Sequence, residues 1–233
     1  MKRLRSWLWR LFLAFTGFTV LTTLAYRWLP VPGTPLMLIR HFQPEKSQGR
    51  FAYAWVPLQK ISPQLVQAVI ASEDNRFEQH YGFDFKAMQR AFVRNQKGTR
   101  KLLGGSTISM QTAKNVYLYT GRNYLRKALE AWFTVWIELL WGKERIMEVY
   151  LNVIEMGPGI YGAEAAAQHY FKKPAAKLNK REAALIAAIL PSPIKRNPAK
   201  PSSYVRQRAD KIQRLMRKLP PQQITATSAQ PKG

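Results

Sequence analysis

The sequence has no cysteine. That excludes disulfides, a thiolate nucleophile and thiolate metal sites, and is compatible with either redox compartment. Histidine is nearly as scarce. His41, His80 and His169 are scattered without metal-ligand spacing, so no zinc site is expected. Acids are also few, 13 Asp and Glu against 37 Lys and Arg, for a net charge of +24. That balance points to a polyanionic partner: nucleic acid, an anionic membrane surface or a phosphorylated substrate. No internal repeat is visible. Apolar residues are plentiful, 46% of 233, enough for one sizeable domain with appendages.

Residues 1–10 carry Lys2, Arg3, Arg5 and Arg10 and no acid, and no charge follows from Leu11 to Tyr26. That uncharged stretch rises about 24 Å as a helix, short of a ~30 Å hydrocarbon core. Trp7 to Trp28 covers about 33 Å, with Arg10 able to snorkel and tryptophans near both interfaces. One transmembrane helix within residues 1–29 is expected. The alternative is a signal peptide cleaved near Thr23-Leu24-Ala25. The basic start should stay in the cytoplasm and the rest outside it, which argues against nucleic acid. Residues 30–60 hold Pro30, Pro32, Pro35 and Pro57 and read as a linker that becomes extended or strand-like. Residues 61–219 read as a mainly helical domain, and the polar tail 220–233 as disordered.

The domain is organised around Glu73. Ser62-Pro63 reads as an N-cap with proline at the first helical position. Val66, Val69 and Ile70 follow at helical spacing, and Glu73 and Phe77 continue their apolar stripe. A carboxylate on the core side of a helix is costly to desolvate. Burial and the neighbouring Asp74 charge should both raise its pKa, which suits a general base. The other reading is a structural carboxylate satisfied by an arginine such as Arg76. Glu73 alone does not separate the two, because structural ion pairs also perturb pKa values.

Gly104-Gly105-Ser106-Thr107 opens a short helix, with Ser106 or Thr107 as N-cap. Thr107, Gln111 and Lys114 then share one face. Free N–H groups at that helix start, with Lys114 beyond, would suit an anion. By itself the pattern is equally a loop, a cap and a solvated lysine. The aromatic stretch with Tyr117, Tyr119 and Tyr124 is either core cover or a membrane-interface surface. Residues 126–141 form a strongly apolar helix too short for a second span, with Glu130 near its start as a dipole-favoured charge or a partner of Arg126.

Four blocks together resemble a known family. Glu73-Asp74-x-x-Phe77-x-x-His80-x-Gly82, then Gly104-Gly105-Ser106-Thr107-Ile108-Ser109-Met110-Gln111 with Lys114-Asn115, then Arg126-Lys127-x-x-Glu130, then Lys143-x-x-Ile146-x-Glu148-x-Tyr150-Leu151-Asn152 occur in order. They are similar to the signatures of glycosyltransferase family 51, the peptidoglycan transglycosylases, over about Ile61 to Pro198. The chain most resembles the monofunctional members of Gram-negative inner membranes, without a transpeptidase domain. Met110 departs from the usual glutamine.

The resemblance implies a lysozyme-like helical fold with a membrane-dipping part. It implies lipid II and a growing glycan strand as substrates, membrane lipid as a partner, no nucleic acid, and a role beside other cell-wall synthesis proteins. Glu73 is implied as the base and Glu130 as a second catalytic carboxylate, both facing one cleft. Lys114, Arg122 and Arg90 are implied as cations for the substrate. Asp74, Phe77, His80, Ser106, Thr107, Gln111, Arg126 and Lys127 complete the implied substrate-binding set. No cofactor is required, and a divalent metal, Mg or Mn, is left open. The rival functions are a lytic transglycosylase or lysozyme-like glycan-cleaving enzyme, and a membrane-anchored cell-wall scaffold protein.

Overall fold

The computed structural model describes residues 2–96, 104–119, 121 and 123–219. The expected disordered tail, 220–233, and most of a basic loop around residues 96–100 lie outside them. The described chain is mainly helical and runs α1 (Lys2–Trp28), α2 (Pro35–His41), α3 (Pro44–Ser47), β1 (Ala52–Tyr53), α4 (Pro63–Glu73), α5 (Phe85–Gln96) and α6 (Ile108–Tyr117). It continues through α7 (Tyr124–Leu140), α8 (Lys143–Val153), β2 (Glu155–Gly157), β3 (Ile160–Tyr161), α9 (Gly162–Phe171), α10 (Lys180–Ile189) and α11 (Ser203–Met216).

Local signals start these helices where they should. The Ser62 hydroxyl caps α4 with Pro63 in the first turn, and Thr107 caps α6 by accepting the Met110 N–H. Asn179 and Glu182 form a full capping box on α10. One helical group is α4, α10 and α11, and a second is α6, α7 and α8. Leu65, Val66, Val69 and Ile70 of α4 join Ile146, Met147 and Tyr150 of α8 in one buried cluster. The alanines of α10 are all buried, and their small side chains let α4 and α11 approach closely.

Residues 30–60, expected as an extended linker, begin instead with two short helices. Pro35 and Pro44, which read as breakers, stand in the first turns of α2 and α3, where proline is well tolerated. The segment is also pinned to the domain. β1 pairs parallel with β3, and β2 antiparallel with β3. The Asn152 side chain both accepts from Val56 N–H and donates to Val56 O at 2.9 Å, and Glu148 accepts the Leu58 N–H. Within the glycine-rich stretch 157–162, Pro158 and Gly159 form the β2–β3 turn.

α1 is long and apolar enough to cross a membrane. Its C-terminal half is docked rather than free. Phe15 packs on Trp132 and Phe133, the indole N–H of Trp132 donates to Thr19, and that of Trp141 donates to Thr23 O. The Thr23 hydroxyl also meets the Tyr117 hydroxyl at 3.1 Å. Arg145 donates to Tyr26 O at the far end.

Candidate active site

The end of α4, the start of α6 and the first turns of α7 converge. Asp74 fastens them. Its carboxylate accepts the Ile108 N–H at 3.1 Å and meets His80 Nε2 at 2.9 Å. At the helix start read either as an anion site or as a loop and cap, Asp74 takes the Ile108 N–H and Thr107 takes the Met110 N–H. Thr107 donates to Gly82 O at 2.6 Å. Gly82 has φ +80°, and a Cβ there would lie 2.8 Å from Thr134 Cγ2, so the turn requires glycine. Phe77 is buried, with Lys143 Nζ 4.7 Å from its ring centroid. Asp74, Phe77, His80 and Thr107 thus brace the loop after α4, although Asp74 and Thr107 also line a cavity.

Two cavities are lined by residues of this junction. The larger, about 600 Å³, is lined by Gln111, Lys114, Arg126, Tyr150, Arg40 and Glu155 among others. The smaller, about 220 Å³, is lined by Glu73, Asp84, Gly105, Ser106 and Thr107. Gln111 connects them. Its amide donates to Glu73 Oε2 at 3.2 Å, and its carbonyl accepts from the Tyr150 hydroxyl at 3.3 Å.

The charges in this region are strongly conditioned. Burial pushes the Glu73 carboxyl above its ordinary 4.5, against the Gln111 hydrogen bond and the fields of Arg208 and Lys114. Burial lowers the Lys114 ammonium from 10.5, while Glu130 and Glu73 both counteract it. Lys114 forms no ion pair among the described residues. Glu130 is 2% exposed. One of its oxygens accepts from Arg126 Nη1 at 2.7 Å, and the other pairs with Lys127. Lys127 also donates to Ser106 at 3.3 Å.

The predicted residues are not all in one place. Glu73, Ser106, Thr107, Gln111, Lys114 and Arg126 line the two cavities. Glu130 lines neither and lies behind Arg126 and Lys127. Arg90 is on the outer face of α5, in a separate hollow with Gln89, Val93 and Arg94. Arg122 lies outside the described residues. Arg76, the partner considered for Glu73, pairs with Asp84 instead. Among the described residues no group of three or more His, Asp or Glu side chains converges as a metal site.

Three residues of this region had no signal in the sequence. Arg40 and Glu155 pair at 3.2 Å on the wall of the larger cavity, and Arg208 Nη2 comes 3.8 Å from Glu73 Oε1. Each is an isolated charge in sequence and meets the site only through tertiary packing.

A family model described as Transglycosylase matches residues 41–217. A protein of Caulobacter vibrioides named biosynthetic peptidoglycan transglycosylase is 54% identical, over 91% of this chain and 90% of its own length. Proteins of the same name from Bacteroides thetaiotaomicron and Pasteurella multocida are 51% and 50% identical, over 94% and 90% of this chain and 89% and 86% of their own lengths.

Proposed function

This chain belongs to the transglycosylase family, and from that premise we propose that it polymerises lipid II into β-1,4 glycan strands with inversion, releasing undecaprenyl diphosphate. It is a peptidoglycan transglycosylase with a lysozyme-like helical domain behind an N-terminal apolar helix. The observation that carries the finer reading is the link between two cavities through Gln111, with an under-satisfied carboxylate in one and, in the other, a lysine without an ion pair among the described residues.

In this reading the acceptor sugar lies by Glu73 and the donor's diphosphate by Lys114. Glu73 takes the proton of the acceptor 4-hydroxyl as that oxygen attacks the anomeric carbon of the donor chain. The bond from that carbon to the lipid diphosphate breaks, and its electron pair leaves with the phosphate. A sugar hydroxyl is a poor nucleophile until its proton is taken, and a placed base contributes roughly 10²–10⁴. The leaving charge needs a cation. One about 4 Å away is worth about 4 kcal/mol at an effective dielectric near 20, before desolvation. Lys114 and Arg126 line the cavity that would receive it. Glycan cleavage expels no diphosphate and has no use for that cationic wall.

Glu130 acts by holding Arg126 and Lys127 in place. Arg122 and Arg90 remain further candidates for substrate contact. The chain sits in the inner membrane by α1, with the domain on the periplasmic side, beside membrane lipid and other cell-wall synthesis proteins. The direct test is to incubate the purified full chain with labelled lipid II and separate polymer from lipid on a gel. Polymer is expected. Its absence, with shortening of preformed glycan instead, would overturn the reading in favour of cleavage.

A further inference from the structure

Glu73 is placed where ionisation is resisted from several sides. It is the last residue of α4, where the negative end of the helix dipole opposes a carboxylate. It is largely buried, and Asp74 adds a like charge beside it. Opposing these are one amide hydrogen bond, to Oε2, and two cations. Its other oxygen, Oε1, is buried and accepts no hydrogen bond. Of the cations, Arg208 is the only one within 4 Å among the described residues.

Arg208 is delivered by a rigid element. The Ser202 hydroxyl caps α11, and Val205, Ala209, Ile212 and Met216 are buried against α4 and α10. The guanidinium is one residue round from that apolar seam, beside the end of α4. At 3.8 Å from Oε1 it is too far to donate a hydrogen bond, and its Nε is buried without an acceptor. The other titratable groups facing Glu73 are accounted for. Asp74 is held by His80 and the Ile108 N–H, Lys114 faces the larger cavity, and Tyr150 is bonded to Gln111. On the packed helices, Arg181 of α10 pairs with Asp210 of α11, while Lys180 and Glu182 are at the α10 start, Glu182 bonded to Lys173.

We propose that Arg208 is a positioning residue for the reaction: its charge holds Glu73 anionic and in place without taking up a hydrogen-bond position on Oε1. The inference rests on Glu73 being the base. The spacing sharpens it. Because the contact is Coulombic and not a hydrogen bond, a lysine should serve nearly as well as an arginine, whereas a bidentate pair would reject the exchange.

The test is the pH dependence of kcat/KM for lipid II polymerisation by the full-length chain and its Arg208→Gln and Arg208→Lys variants. In Arg208→Gln the acidic limb should move up by about one pH unit, with the rate recovered on the alkaline side. One unit is the low end for an opposite charge at this distance, taken because a quarter of the Arg208 side chain is exposed. Arg208→Lys should restore the parental limb. If Arg208→Gln does not fold, Arg208→Met keeps the stem's packing and carries the same expectation. An unmoved limb, a loss equal at every pH, or failure of lysine to restore the limb would overturn the proposal. Glu73→Gln is assayed in parallel. If that variant polymerises within a few-fold of the parent, the base assignment itself fails. If it is inactive while the Arg208 profiles are unmoved, only Arg208 is removed.

Discussion

Glu73 and Glu130 are the same residue type, both largely buried and both close to Lys114, yet the structure treats them oppositely. Glu130, in the second turn of α7, has each oxygen held by its own cation. Glu73 is at the unfavourable end of α4, with one amide on one oxygen and nothing bonded to the other. A carboxylate with a cation on each oxygen serves to hold those cations. One left short of partners is costly to the fold and available for chemistry. The difference lies in what surrounds each group, and each side of it can be broken separately.

The largest effect is expected from Glu73→Gln, which keeps size and packing but cannot accept a proton. Polymerisation should fall by at least about 10²-fold. Stability should hold or rise, and the sign depends on pH. Because the folded pKa of Glu73 is raised, the folded state keeps this proton in a window where the unfolded chain has lost it. Stability of the parent therefore falls as pH rises through that window, and the Gln variant escapes the loss. Melting temperatures of the two proteins should converge below about pH 4 and separate in favour of Gln at neutral pH. A Gln variant that melts lower at pH 7 and polymerises normally would reassign Glu73 as structural.

Glu130→Gln should do the opposite, costing the fold first. It strands Arg126, whose Nε already lacks an acceptor, and frees Lys127. Breaking a buried pair costs about 3–5 kcal/mol, and the low end applies because Lys127 is 42% exposed. Denaturant unfolding measures this directly. A melt unchanged from the parent would show that the two ion pairs contribute little to folding.

Much of this contrast was legible in the sequence, and its cause was not. Glu73 could be located because it interrupts an apolar stripe of fixed helical period, and Glu130 because it follows Arg126 by one turn. Those are local facts. The caps at Ser62, Thr107, Asn179 and Ser202 were equally local, and so were the helices they start. What surrounds Glu73 is not local. Arg208 is more than a hundred residues away and reaches it only because α11 packs on α4. The helix start at Ile108 shows the same limit: its donor is visible in sequence, but Asp74 as its acceptor is a tertiary fact. The helices at Pro35 and Pro44 were missed because a proline that opens a short helix has the same local signature as one that opens a turn.

The smallest effect sharpens the comparison from the cation's side. Burial makes Lys114 lose its proton below its ordinary 10.5, so the basic limb of kcat/KM should report it. Lys114→Arg stays charged and should extend activity to higher pH, with a few-fold loss at neutral pH from the larger head group. A basic limb that does not move would assign it to another group.

The docking of α1 onto α7 has a consequence for how substrate is found. A domain on a slack tether would sample many heights and tilts, and each encounter with a membrane-bound lipid would need the right ones by chance. Here Trp132, Trp141 and Arg145 bind the C-terminal half of α1 at three levels along its axis. Were α1 to cross the bilayer, as its length and composition allow, those contacts would fix the altitude and heading of the cleft. A lipid drifting laterally would then have two coordinates left to match instead of three, and search would become a problem in the plane.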